Sequence, residues 1–136
     1  MADTSLLEKV KRAKRVYIIG NGGSYANAEH IANDLLSVGV RAFAINGAFF
    51  SATANDFGYE QSFSRWVRIV GERDDLLIAL SGSGTSRNIL EAMATAAQLG
   101  MDSHLVTRYL RELDMQASEE EQIQIGHELM KALRCS

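Results

Sequence analysis

Proline is absent from the 136 residues, so every turn has to be made by Gly, Asn, Asp or Ser. Cysteine is almost absent. Cys135 is the only one, which excludes an intrachain disulfide and fits a reducing compartment. No apolar run approaches the ~20 residues that a membrane helix needs, and no apolar signal segment opens the chain. The expectation is a cytoplasmic protein without a membrane role. A basic excess is also missing: 14 Lys and Arg face 17 Asp and Glu, a net charge of −3. That argues against direct, generic binding to nucleic acid and leaves room for a local basic pocket. Repeats, low-complexity tracts and linkers are lacking too, so residues 1–136 read as one domain. The length suffices for one sizeable core.

What is present is an alternation. Four short apolar runs stand out: Val16-Tyr17-Ile18-Ile19, Ala42-Phe43-Ala44-Ile45, Leu76-Leu77-Ile78-Ala79-Leu80 and His104-Leu105-Val106-Thr107. Brief continuous runs of this kind suit parallel strands covered on both faces. Between them, Ala28, Ile31, Ala32, Leu35 and Leu36 recur at helical spacing, as do Ile89, Leu90, Met93, Ala96 and Ala97 before Gly100. A basic helical lead-in covers 1–14, Leu6 to Lys14 in particular, and a last helix covers 118–134. Strands alternating with helices imply right-handed βαβ units and an α/β, doubly wound sheet.

Two loops carry chemistry. Gly20-Asn21-Gly22-Gly23-Ser24 follows the first strand and opens a helix; Ser81-Gly82-Ser83-Gly84-Thr85-Ser86 does the same after the third. Ligands of open α/β sheets bind outside the carboxyl ends of the strands. There, Gly-rich backbone and a helix N-terminus favour an anion. The plainer reading makes both segments ordinary turns, with Ser24 and Ser86 as helix N-caps. Two such loops at corresponding places in one small sheet weigh against it. Neither is a nucleotide fingerprint: no G-x-x-x-x-G-K-[ST] occurs, and after Gly20 and Gly22 no glycine follows at Tyr25 or Ala26.

These loops stand in order with Ala28-Glu29-His30-Ile31-Ala32, Ala54-Asn55-Asp56-Phe57-Gly58-Tyr59, Phe63-Ser64-Arg65, Arg87-Asn88 and Ile125-Gly126-His127. The combination resembles a SIS (sugar isomerase) domain and, more narrowly, the phosphoheptose (sedoheptulose 7-phosphate) isomerase family. The resemblance runs from about residue 12 onward. It implies a single three-layer α/β/α domain with a mostly parallel sheet of about four to five strands. It further implies an aldose–ketose isomerase forming D-glycero-D-manno-heptose 7-phosphate, an early step towards the heptose of bacterial surface lipopolysaccharide. Members are cytoplasmic homotetramers with sites between subunits, often holding zinc. Carried over by position, Ser81, Gly82, Ser83 and Ser86 hold the phosphate. Asn21, Gly22, Gly23 and Ser24 contact the sugar, and Asn55 and Asp56 lie near its hydroxyls. The acid/base pair maps to Asp34 and His127, and the zinc ligands map to His30, Asp34, Glu119 and His127.

The residues themselves allow this chemistry. His30 and Asp34 are four apart and share a helix face. Glu119 and His127 are eight apart, ~80° around a helix of 3.6 residues per turn. All four are zinc-ligand types, and isomerisation needs one group to take a carbon-bound proton and another to move a proton between oxygens. Plainer readings stand beside these. His127 between Ile123 and Met130 suits a core histidine, and His30 with Asp34 suits a surface pair. Glu119-Glu120-Glu121 suits a first helical turn. His104 reads as structural, and Trp66, with Phe63 and Val70, as helix packing.

The chain also departs from the family pattern. Asp34 replaces a glutamate, Glu119 replaces a glutamine, and an arginine expected near Val38 is missing. The N-terminal helical region and the segment after Asp34 are shorter. Residues 108–117 replace a loop, a strand and a turn, which predicts a lost strand, an exposed edge and an uncertain register for the last helix. Two readings follow. One is a phosphosugar isomerase acting through Asp34 and His127. The alternative is a non-catalytic SIS module, a phosphosugar sensor or an oligomeric adaptor. One relative of the isomerases binds the bacterial replication initiator. Both readings predict a homo-oligomer.

Overall fold

The computed structural model describes residues 4–107 and 115–134. The elements in chain order are α1 (Thr4–Arg12), β1 (Val16–Gly20), α2 (Gly23–Ser37), β2 (Ala42–Ala44), α3 (Gly47–Phe57), α4 (Ser64–Val70), β3 (Leu76–Leu80), α5 (Arg87–Gln98), β4 (Asp102–Val106) and α6 (Met115–Arg134), with a 3-10 turn at Tyr59–Gln61 between α3 and α4. Among the described residues the sheet is four-stranded, parallel throughout, with order β2-β1-β3-β4.

The two central strands, β1 and β3, each serve two cores. Val16, Ile18, Leu76, Ile78 and Leu80 face one layer, where they pack with Leu6, Val10, Ile31, Leu35 and Leu129 of α1, α2 and α6. Tyr17, Ile19, Leu77 and Ala79 face the other, with Phe63, Val67, Ile89 and Ala96 from the α4 and α5 side. Burial on both faces explains why the runs are continuous rather than alternating. The result is the expected three-layer α/β/α arrangement with four strands.

Three details differ from the sequence reading. β4 begins at Asp102 and ends at Val106, because it pairs in register with Leu76–Leu80; Thr107 lies just beyond it. α6 begins at Met115 rather than at 118. α1 spans Thr4–Arg12, earlier than the Leu6–Lys14 period suggested. The expected loss of a strand between Thr107 and Ser118 falls on residues 108–114, and Cys135 at the other end; both lie outside the described residues. Among the described residues no helix is long and apolar enough to cross a membrane.

Candidate functional site

The strand order reverses between β1 and β3. From β1 the chain moves outward to β2, then returns past β1 to β3 and β4. Gly20 pairs with Leu80, so the two Gly/Ser loops leave the sheet side by side at the crevice where open α/β sheets take ligands.

Local chemistry shapes each loop. In the first, Gly22 has φ of 56°, a conformation that glycine adopts without steric cost, and it occupies the N-cap of α2. Ser24 lies buried inside the first turn rather than at the cap. In the second, the Ser81 hydroxyl accepts the Gly84 N–H at 3.1 Å and the Ser83 hydroxyl accepts the Thr85 N–H at 3.1 Å. Thr107 Oγ1 braces the loop from β4 by donating to the Gly82 carbonyl at 3.2 Å. Ser86 stands at the N-cap of α5, but its side chain makes no capping bond. Neither serine is therefore a side-chain N-cap.

Asn21 and Asn88 join the loops. Asn21 Nδ2 donates to Asn88 Oδ1 at 3.0 Å, and Asn88 Nδ2 donates back to Asn21 Oδ1 at 2.8 Å. The Tyr59 hydroxyl donates to the same Asn21 oxygen at 2.8 Å. Beside Asn21, a cavity of about 180 Å³ is walled by Gly22, Tyr25, Phe50 and Tyr59. Burial, then the Glu29 carboxylate, raises the Tyr25 phenol above its ordinary range, and its hydroxyl donates to the Ile45 carbonyl at 2.9 Å. Asn55 and Asp56, both exposed, lie near the end of α3, where Asn55 Nδ2 donates to Asp56 Oδ1 at 3.0 Å.

The second assembly sits on the α2 and α6 layer. His30 Nε2 lies 3.2 Å from His127 Nε2 and 3.3 Å from Asp34 Oδ2, which is 3.7 Å from His127 Nε2. Asp34 Oδ2 is buried without a hydrogen bond. Donors about 2.0–2.1 Å from a tetrahedral ion stand about 3.3–3.4 Å apart, and three protein ligands with an open fourth position are the catalytic pattern for zinc. Three close donors, one a carboxylate oxygen with no hydrogen bond, fit such an ion. Both imidazoles are half exposed and the Asp34 side chain is 15% exposed, so the cluster is open to solvent.

Gly126 makes this meeting possible. A Cβ there would stand 2.6 Å from Ile31 Cγ1, so only glycine lets α6 lie this close to α2. Asn27 fixes the register by donating from Nδ2 to the Glu119 carbonyl at 2.8 Å and to Gln122 Oε1 at 2.9 Å.

Glu119 is not brought to the other three. Its carboxylate lies where a Cβ of Gly23 would be, over the N-terminus of α2. Eight residues at 1.5 Å rise carry it about 12 Å along α6 from His127. His104 lies on β4, its Nδ1 3.4 Å from Lys9 Nζ, and Trp66 packs edge-on to Tyr17 at 5.3 Å. The sequence reading did not single out Asn27, Tyr25 or Phe50. Nothing local marks them, since each acts through a neighbour distant in sequence. Tyr59, Asn88 and Gly126 stood within the quoted motifs, but their parts here come from tertiary contacts.

A model of the SIS domain family matches residues 1–107. The chain is 38% identical over 109 residues to a phosphoheptose isomerase of Buchnera aphidicola subsp. Acyrthosiphon pisum (strain Tuc7), covering 75% of this chain and 56% of that protein. It is also 38% identical over 104 residues to a phosphoheptose isomerase of Helicobacter pylori (strain P12), covering 71% of this chain and 54% of that protein. The chain thus spans about half the length of the curated relatives it matches. Among solved structures, a phosphoheptose isomerase from Neisseria gonorrhoeae superposes with a TM-score of 0.87 at 24% identity, over 96% of this chain and 82% of that one. One from Francisella tularensis gives 0.86 at 24% identity, over 96% and 83%.

Proposed function

The chain belongs to the SIS domain family, and on that premise we propose that it is a phosphosugar aldose–ketose isomerase acting on a heptulose phosphate such as sedoheptulose 7-phosphate. The observation that carries the proposal is the meeting of His30, Asp34 and His127 on one layer of a domain whose two ligand loops stand at the strand switch point. The names of the relatives that match over most of this chain support the same reaction.

In this reading the serine loop holds the phosphate through the Ser81, Ser83 and Ser86 hydroxyls and the loop amides. The first loop, with Asn55 and Asp56, receives the sugar. Asp34 takes the proton from the carbon beside the carbonyl, through the carboxylate oxygen not turned to the imidazoles, and returns it to the former carbonyl carbon. His127 moves a proton between the two sugar oxygens through its other ring nitrogen, the one not turned to His30 and Asp34, so that the carbonyl shifts by one carbon and no proton is gained or lost overall. His30, Asp34 and His127 would hold a zinc ion, which supplies Lewis acidity at the carbonyl oxygen. Glu119 does not enter that set.

The first loop stands at the start of α2 and the triad begins about 10 Å further along it, seven residues at 1.5 Å each. This separation supports sites completed by a neighbouring copy in a homo-oligomer, a tetramer as in the family. We place the protein in the cytoplasm on the same premise. The substitution of Asp34 for the family's glutamate favours the second reading, a phosphosugar sensor or adaptor without turnover, because the carboxylate reaches one methylene less far.

Incubation with sedoheptulose 7-phosphate, followed by NMR for aldose signals, separates the two. Conversion that is lost in Asp34→Asn supports the isomerase. Saturable binding with no aldose in the wild type overturns it in favour of the sensor.

A further inference from the structure

Asn88 lies in the first turn of α5 and is 1% exposed. Its amide is engaged at both ends: Oδ1 accepts from Asn21, and Nδ2 donates to Asn21 Oδ1 and to Ser62 Oγ at 3.1 Å. Asn21 is engaged in turn, its oxygen accepting from both Asn88 and Tyr59. A reciprocal amide pair uses a donor and an acceptor on separate atoms of each member, as the Asn side chain provides. The pair joins the turn after β1, the start of α5 and the Tyr59–Gln61 turn. An exposed Arg87–Glu60 ion pair at 3.4 Å crosses the same junction. The β1 and β3 register sets the strands side by side only as far as Gly20 and Leu80. Beyond that point, side chains must set the spacing of the loops.

We propose that Asn88, paired with Asn21, is a positioning residue that holds the two loops at the spacing a phosphosugar requires. The inference rests on the phosphosugar reading and deepens it. A bare phosphate needs one loop; a sugar phosphate needs both, at a fixed separation. Losing the pair should therefore act on the second ligand and spare the first, a selectivity that general destabilisation does not produce.

The test is calorimetric titration of sedoheptulose 7-phosphate and of inorganic phosphate into the full chain, for wild type, Asn88→Ala and Tyr59→Phe. Asn88→Ala is expected to weaken the phosphosugar about tenfold or more, the scale of an unsatisfied buried partner, while phosphate affinity stays within about twofold. Tyr59 is exposed, so Tyr59→Phe removes one donor to the pair with the fold intact. It should shift the phosphosugar about threefold in the same direction, one ordinary hydrogen bond, and it decides the matter if Asn88→Ala does not fold. Equal losses for both ligands, or none, overturn the positioning role alone. Wild-type protein that binds phosphate but not the phosphosugar overturns the phosphosugar reading and this role with it.

Discussion

Asp34 bears the largest demand placed on any one side chain. Its Oδ2 is buried, has no hydrogen bond and faces two imidazole nitrogens. Asp34→Asn replaces the carboxylate of the proposed zinc site with a neutral amide. Zinc affinity measured by titration against a chelating dye should fall at least tenfold, comparable to or exceeding the loss from a mutated outer-shell partner. Unchanged affinity would remove the triad from the account. Ser83→Ala deletes the acceptor of the Thr85 N–H as well as a candidate phosphate donor. Phosphosugar affinity by calorimetry should drop about tenfold, as for a hydrogen bond to a charged group, and unchanged affinity would sink the phosphate assignment. At this scale the sequence showed His30 and Asp34 together, because an i,i+4 pair is local. It did not show that Glu119 turns towards Gly23, because that depends on how α6 lies on α2. Nor did it show that the Asn21 amide turns towards Asn88.

Between elements, the α2 and α6 contact decides whether a triad exists. The ideal Cβ position at Gly126 is 2.6 Å from Ile31 Cγ1, so Gly126→Ala forces the helices apart or Ile31 off its rotamer. It should cost about 1–3 kcal/mol by denaturant unfolding and weaken zinc about tenfold or more. Ile31→Ala on the same chain should recover part of the zinc affinity by making room, and no recovery would contradict the steric explanation. Asn46 accepts the Ala48 and Phe49 amides at the start of α3. Asn46→Ala should lower stability by about 1 kcal/mol in the same measurement. The central strands were legible because burial on both faces leaves unbroken apolar runs. α3 was not, because Thr53 is its only buried residue and a helix without a buried stripe leaves no period to read. Its signal was the cap, Asn46.

For the whole molecule, the strand order β2-β1-β3-β4 is what brings two modest loops side by side. The alternation of strands and helices made the layered class readable, and the two Gly/Ser loops marked the end of the sheet that carries the proposed site. How the triad relates to those loops was not readable, since it depends on how α6 lies on α2, a contact far apart in sequence. Leu36 and Phe43, 51% and 42% exposed, leave apolar surface beside the β2 edge. Light scattering after size exclusion should therefore give a multiple of the 14.9 kDa chain, and a strict monomer would contradict sites completed by a neighbour. The most direct test is NMR-monitored conversion of sedoheptulose 7-phosphate after removal of metal by a chelator and again after zinc is restored, with His127→Ala in parallel. The account predicts aldose from the wild type with zinc, little or none after chelation, and none from His127→Ala in either state. Aldose formed at the same rate by His127→Ala, or by no sample at all, would contradict it.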